Sequence, residues 1–313
     1  MNQANEQQTA TAQAAPILTV EGLSRKFRRK YALEDVTLSV PRGVVFGLVG
    51  ENGAGKTTLL RHLLGVLRPT TGQVRVFDRD PITDPVAVLS RIGFLSEERD
   101  LPGWMTVQEL MRYTQAFYPD WDEDYAEALR DHFALDPHTK IKHLSRGEQA
   151  KTGLLVALAY RPELLMLDEP SAGLDPVARR DILEAIVRTV AEEGRTVIFS
   201  SHLLDEIERV SDQVAMIHEG KLLFQGALDT IKANHQALDV THPTVTEQRP
   251  DWSGVLYARQ EGAAWSVICS GTAQDVAEAA RSRGWSITEQ HIPSLEELFI
   301  ARVRGGKDRG IMP

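Results

Sequence analysis

The sequence predicts an α/β protein: a core on a mainly parallel sheet, an antiparallel β subdomain at its start, a helical insertion, and a small α+β C-terminal appendage. Three observations predict it. Apolar runs of strand length (Val44 to Val49, Ile92 to Leu95, Leu164 to Leu167, Thr196 to Ser200) recur between helical stretches. Uninterrupted runs of this kind belong to sheets covered on both faces. Between Glu97 and Lys142 the strand pattern stops and helical spacing replaces it. Beyond residue 235 the style changes again, to hairpin spacing.

The elements follow in order. Residues 1–15 are Gln/Ala-rich and predict a disordered start. Ile17 to Val20 and Thr37 to Val49 predict β structure, with the basic run Arg25 to Lys30 as a solvated hairpin rim. Lys56 to Leu67, apolar at Leu59, Leu60, Leu63, Leu64 and Leu67, predicts a helix. Helical segments follow at Val107 to Phe117 and Tyr125 to Phe133, within a subdomain spanning about 98–160 of a main domain covering 16–235. Tyr113, Phe117, Tyr118 and Trp121 form an aromatic group that core packing explains better than a partner surface. Trp104 and Met105, in a loop, are better interface candidates. A helix runs from Ser145 through Ala159, and strand–helix alternation continues to about Phe224.

A helix over Ala227 to Asn234 leads to the appendage, placed at 236–304. There Gly254 to Ala258 and Trp265 to Cys269 flank Glu261-Gly262 as a hairpin. Thr272 opens a helix through Arg281, Trp285 to Thr288 reads as a strand, and Ser294 to Val303 as the last helix. Residues 305–313 read as a flexible tail.

The chemistry starts at Gly50-Glu51-Asn52-Gly53-Ala54-Gly55-Lys56-Thr57, which fits G-x-x-x-x-G-K-[ST] at every fixed position. A triphosphate needs several donors converging on its oxygens with no side chain in the way. The three glycines let backbone N–H groups wrap the phosphates. Lys56 is spaced to reach the β/γ oxygens and Thr57 to ligate Mg²⁺, and Thr58 completes the nucleotide-binding stretch. With a strand before the loop and a helix after it, the helix N-terminus aims at the anion. The core is therefore that of a phosphate-loop NTPase.

Asp168 and Glu169 end the apolar run Leu164 to Leu167. Asp168 reads as a Mg²⁺ holder, and Glu169 as a general base that polarises water against the γ-phosphate. Without Lys56 upstream the pair would pass for solvated carboxylates before Pro170. His202 ends another core strand on the sheet edge where α/β proteins gather ligands, and reads as a γ-phosphate sensor. Ser145-Arg146-Gly147-Glu148 has capping-box spacing, and a capped helix start after a small-residue turn is also an anion site.

In this order the segments resemble the ATP-binding subunit of an ABC transporter. Gly50 to Thr57 matches the Walker A loop, Leu144 to Glu148 the LSGGQ signature, Leu164 to Glu169 the Walker B strand, Ser171 to Asp175 the D-loop and His202 the H-switch. The resemblance implies that Ser145, Gly147 and Asp175 serve ATP held by Lys56 of a second subunit, in a head-to-tail homodimer. It also implies a separate multi-span membrane permease, docked through the helical subdomain, and a place at the inner face of the cell membrane. Pro293 to Phe299 resembles the tail of ATPases serving ABC-2-type exporters, which implies export.

Three positions depart from the family pattern. Arg146 and Glu148 stand where the signature has glycine and glutamine. Glu97 stands where the Q-loop glutamine ligates Mg²⁺; a carboxylate can ligate but cannot donate a hydrogen bond. Phe27, more than Tyr31, matches the adenine-stacking aromatic.

Composition narrows the alternatives. A net charge of −9 argues against nucleic acid as the main partner. The one cysteine, Cys269, precludes a disulfide within the chain. No apolar stretch approaches the roughly 18 residues of a membrane span, and the N-terminus has no secretory pattern, so the reading is cytoplasmic. The alternative is a soluble ATPase of the same superfamily acting as a clamp or scaffold, for instance in cofactor assembly.

Overall fold

The computed structural model describes residues 15–191, 194–242, 244 and 249–308; most of the stretch read as a disordered start lies outside them. Strands β1 (Leu18–Phe27) and β2 (Lys30–Val40) form an antiparallel hairpin whose turn places Arg28 at φ 53°, so the basic run is its rim. Strand β3 (Val45–Val49) leads through the glycine loop into helix α1 (Lys56–Leu63). That helix ends earlier than its apolar spacing predicts. Gly65 enters the left-handed region at φ 70°, its N–H bonds the His62 carbonyl, and the Val66 N–H bonds the Arg61 carbonyl. This Schellman closure satisfies carbonyls the helix leaves open; the left-handed φ favours glycine there, and a Cβ would also lie 2.3 Å from the Pro81 carbonyl oxygen.

Strand β4 (Thr71–Val76) returns to pair with β1 in a three-stranded antiparallel sheet. Helix α2 (Pro85–Leu89) and strand β5 (Ile92–Leu95) precede the insertion, which comprises α3 (Val107–Gln115), α4 (Glu123–His132) and α5 (Arg146–Leu158). Alternation then resumes with β6 (Leu164–Asp168), α6 (Pro176–Ala191), β7 (Thr196–Ser201), α7 (Leu204–Val210), β8 (Gln213–His218) and β9 (Lys221–Ala227). The six-stranded sheet has the order β5-β6-β7-β3-β8-β9, parallel except for β9.

Strand alternation divides the apolar residues between two cores. Phe46, Leu48, Met166 and Ile198 face the antiparallel subdomain and α1. Val45, Val49, Leu167 and Phe199 face the helical insertion and α6. Burying both faces is what lets these strands read as unbroken apolar runs.

The appendage follows α8 (Leu228–Ala233). Its sheet has the order β11-β12-β10-β13, from β10 (His235–Thr241), β11 (Val255–Glu261), β12 (Ala264–Ser270) and β13 (Ser286–His291). Strand β10 was not legible in the sequence, because His235 and Gln236 interrupt any apolar run. Helix α9 (Ala273–Ser282) covers one face with Trp252, Trp265 and Trp285; Cys269 lies in that core, its thiol pushed up to about 12 by burial. Helix α10 (Leu295–Asp308) covers the other through Leu298 and Ala301. It extends past residue 304, where the flexible tail was placed; residues 309–313 lie outside the described residues.

The aromatic group of the insertion divides. Tyr118 stacks on Tyr160 and Trp121 packs against the core, while Tyr113 and Phe117 are 52 % and 64 % exposed. Core packing therefore accounts for two of the four. Of the two loop candidates, Trp104 is 70 % exposed and Met105 is buried.

Candidate active site at the phosphate loop

Ala32, Glu51, Asn52, Gly53, Gly55, Lys56, Thr57, Thr58, Glu97 and Glu169 line one cavity of about 270 Å³ at the C-terminal edge of the sheet. Gly55 is the N-cap of α1 at φ 115°, and no side chain caps the helix, so its first N–H groups stay open toward the cavity. A Cβ on Gly55 would lie 2.5 Å from the Ala32 carbonyl, so only glycine fits. Gly53 has open space where a side chain would project, as a loop that admits a ligand requires.

Glu169 sits at the centre of the buried polar network. Its Oε1 is 2.9 Å from Lys56 Nζ, and its Oε2 is 2.7 Å from His202 Nδ1. Lys56 also donates to the Gly50 carbonyl at 2.6 Å. The Glu169 backbone is left-handed at φ 47°, an uncommon state for a side-chain-bearing residue. That conformation turns the chain sharply after β6, so successive carboxylates diverge: Asp168 stays under the strand end and Glu169 reaches the cavity. Ser200 holds both, donating from Oγ to Asp168 Oδ1 at 2.7 Å and accepting from the Glu169 N–H at 2.9 Å.

The sequence-predicted residues thus fall into groups. Lys56, Thr57, Thr58, Glu51, Asn52, Gly53, Gly55, Glu97 and Glu169 share the cavity, and Asp168 and His202 adjoin it through Ser200 and Glu169. Gly50 and Ala54 are pinned behind it: a Cβ on Gly50 would lie 2.3 Å from the Ile217 carbonyl, and the Ala54 carbonyl accepts from the Gly220 N–H. Ser145, Gly147 and Asp175 form a separate cluster that does not line the cavity. Ser145 caps α5, its Oγ accepting from the Glu148 N–H, while Glu148 accepts from the Ser145 N–H. Asp175 caps α6, and N–H bonds from Ala178 and Val177 hold its carboxyl below the usual range.

Phe27 lies at the hairpin tip, 44 % exposed under the Arg25 guanidinium, and is not among the residues that line this phosphate-loop cavity. Tyr31 is likewise outside, beneath Lys26, and Ala32 forms the wall instead. Pairing of Phe27 with Lys30 at the turn explains the placement.

Several residues escaped the sequence reading. Ser200 showed only as a polar residue ending an apolar strand. Arg99 donates to the Pro170 and Ala172 carbonyls and so braces the segment after Glu169; burial, then the nearby Arg146, lowers its pKa. Buried Glu206 accepts from Ser171 and Ser201 and pairs with Arg179. These contacts join positions 70 or more residues apart in the case of Arg99, and no local pattern announces them.

The residues present fit a magnesium nucleotide: open N–H groups and Lys56 for phosphate oxygens, and hard oxygen donors in Thr57, Asp168 and Glu97 for the ion.

Known proteins agree with this geometry. Residues 33–172 match the family model described as ABC transporter. The ABC transporter ATP-binding protein YtrB of Bacillus subtilis is 28 % identical over 94 % of this chain and 100 % of its own length. The bacitracin transport ATP-binding protein BcrA of Bacillus licheniformis is 32 % identical over 70 % of this chain and 72 % of its own. A solved ATP-binding subunit of an ABC transporter, 30 % identical, superposes with a TM-score of 0.64 over 69 % of this chain and 92 % of that one. The transport names of these relatives disfavour the clamp or scaffold alternative. The chain belongs to the ABC transporter family, as an ATP-binding subunit that hydrolyses ATP to drive transport.

Proposed function

We propose that Lys56, Glu169 and His202 form the catalytic set and that the chain powers export across the cytoplasmic membrane with a separate permease. The observation that carries the catalytic reading is the buried chain Lys56–Glu169–His202, at 2.9 and 2.7 Å. When ATP binds, Lys56 exchanges Glu169 and the Gly50 carbonyl for phosphate oxygens. Glu169 Oε1 is then free to take a proton from the attacking water. His202 holds Oε2 and orients the carboxylate, and Ser200 keeps Asp168 directed at the ion site. Thr57, Asp168 and Glu97 would hold Mg²⁺, which neutralises charge on the β- and γ-phosphate oxygens.

Ser145, Gly147 and Asp175 stand apart from the cavity of their own chain, which supports their service to ATP on a second copy. A homodimer then has two complete sites. The permease docks on an apolar groove of about 370 Å³ that includes Leu64, Val66, Phe94, Tyr118 and Val156, beside the exposed Tyr113 and Phe117. No helix among the described residues is long and apolar enough to cross a membrane; the place at the inner face of the membrane rests on the family resemblance. The export direction rests on the resemblance of Pro293 to Phe299 to exporter ATPases.

The decisive variant is Glu169→Gln. ATP binding should persist while turnover falls by about 10²-fold or more, measured as phosphate release against nucleotide binding. Turnover at the wild-type rate would remove Glu169 from the base role.

A further inference from the structure

Helix α10 closes the appendage, yet its first turn belongs to the main domain. Leu295 is fully buried in the core formed with the helical insertion and α6. Its N–H donates to Glu208 Oε2 of α7 at 3.0 Å, and the same carboxylate pairs with Lys232. One turn further on, Phe299 meets the ring of His218 edge-on, with centroids 5.9 Å apart at 76°.

His218 ends β8. It is buried, and neither ring nitrogen has a hydrogen-bond partner. What it faces is the phosphate loop: its Nδ1 is 3.7 Å from Oε2 of Glu51. The turn that carries it also clasps the loop from behind. The Gly220 N–H donates to the Ala54 carbonyl at 2.9 Å, and the Ile217 carbonyl leaves no room for a Cβ at Gly50. The chain of contact is therefore short: α10, Phe299, His218, Glu51.

We infer that His218 is a positioning residue for the phosphate loop, held in place by Phe299, and that the appendage thereby sets the affinity of the loop for ATP. The inference rests on the reading of Gly50 to Thr57 as the ATP site. Glu169 and His202 project from the ends of β6 and β7, while His218 ends β8 on the far side of β3. Loosening His218 should thus weaken phosphate binding and leave water attack intact.

Steady-state ATPase assays on the full chain, well below the Tm of each variant, test this. Phe299→Ala and His218→Ala should each raise KM for ATP about three- to tenfold with kcat within about twofold. The double variant should be no worse than either single one, because both break the same link. Phe299→Leu, which keeps apolar bulk, should recover most of the loss. Val276→Ala, in the core on the opposite face of the appendage, should lower Tm without moving KM. An unchanged KM in Phe299→Ala, or an equal KM shift in Val276→Ala, overturns the inference. Absence of ATP turnover in the wild-type chain would instead overturn the reading of the site itself.

Discussion

Glu169 shows how much one residue's surroundings decide. Its side chain is buried, yet it meets a cation and an imidazole on separate oxygens, so both lone-pair sides of the carboxylate are used. Ser200 is the less visible half of this arrangement, since its single hydroxyl donates to Asp168 and accepts from the Glu169 N–H. Ser200→Ala should therefore cost about 1–3 kcal/mol of stability, the range for leaving a buried polar group unpaired. Denaturant melts measure that cost, and turnover should fall with it. Lys56, Asp168, Glu169 and His202 were legible as candidates because each sits at a fixed offset from a strand or a glycine motif. The role of Ser200 was not, because a serine at a strand end has many explanations until the neighbouring strand is placed beside it.

Helix ends carry the signals that survive translation from sequence to structure. Ser145 and Glu148 form the reciprocal capping box that S-x-x-E spacing predicts, and Thr106 with Glu109 forms another. The signature departure at Glu148 is neutral for the cap, since glutamate and glutamine both fill the reciprocal position. Ser145→Ala should cost about 1 kcal/mol, while Glu148→Gln should leave stability within a few tenths of that, read from urea midpoints at constant slope. Arg146 presents a separate feature: a Cβ on Gly173 would lie 3.2 Å from its guanidinium, so it lies beside the segment whose Ala172 carbonyl accepts from Arg99. The early end of α1 was missed because apolar spacing continues to Leu67 while the chain turns at Gly65. Periodicity reports which face is apolar, and a left-handed glycine reports where the helix stops.

Across the whole molecule, the two sheet faces are occupied, the appendage closes on α10, and the exposed apolar residues of the insertion remain. Tyr113 and Phe117 pack edge to face with their outer surfaces free of the core. Replacing both with serine should change Tm by less than about 2 °C, as surface substitutions do, yet reduce copurification with a membrane protein. Loss of stability with copurification retained would return these rings to a structural role. The sequence by itself determined the α/β class, the order of the motifs, the catalytic candidates and the family, because fixed spacings along one chain encode strand–loop–helix chemistry locally. Only the tertiary structure decided that Phe27 stays at the hairpin rim, that Ser200 joins the two carboxylates, and that α10 reaches the phosphate loop through His218. Those outcomes depend on which distant strands become neighbours, and that choice is made by packing across the sheet, not by any pattern within a segment.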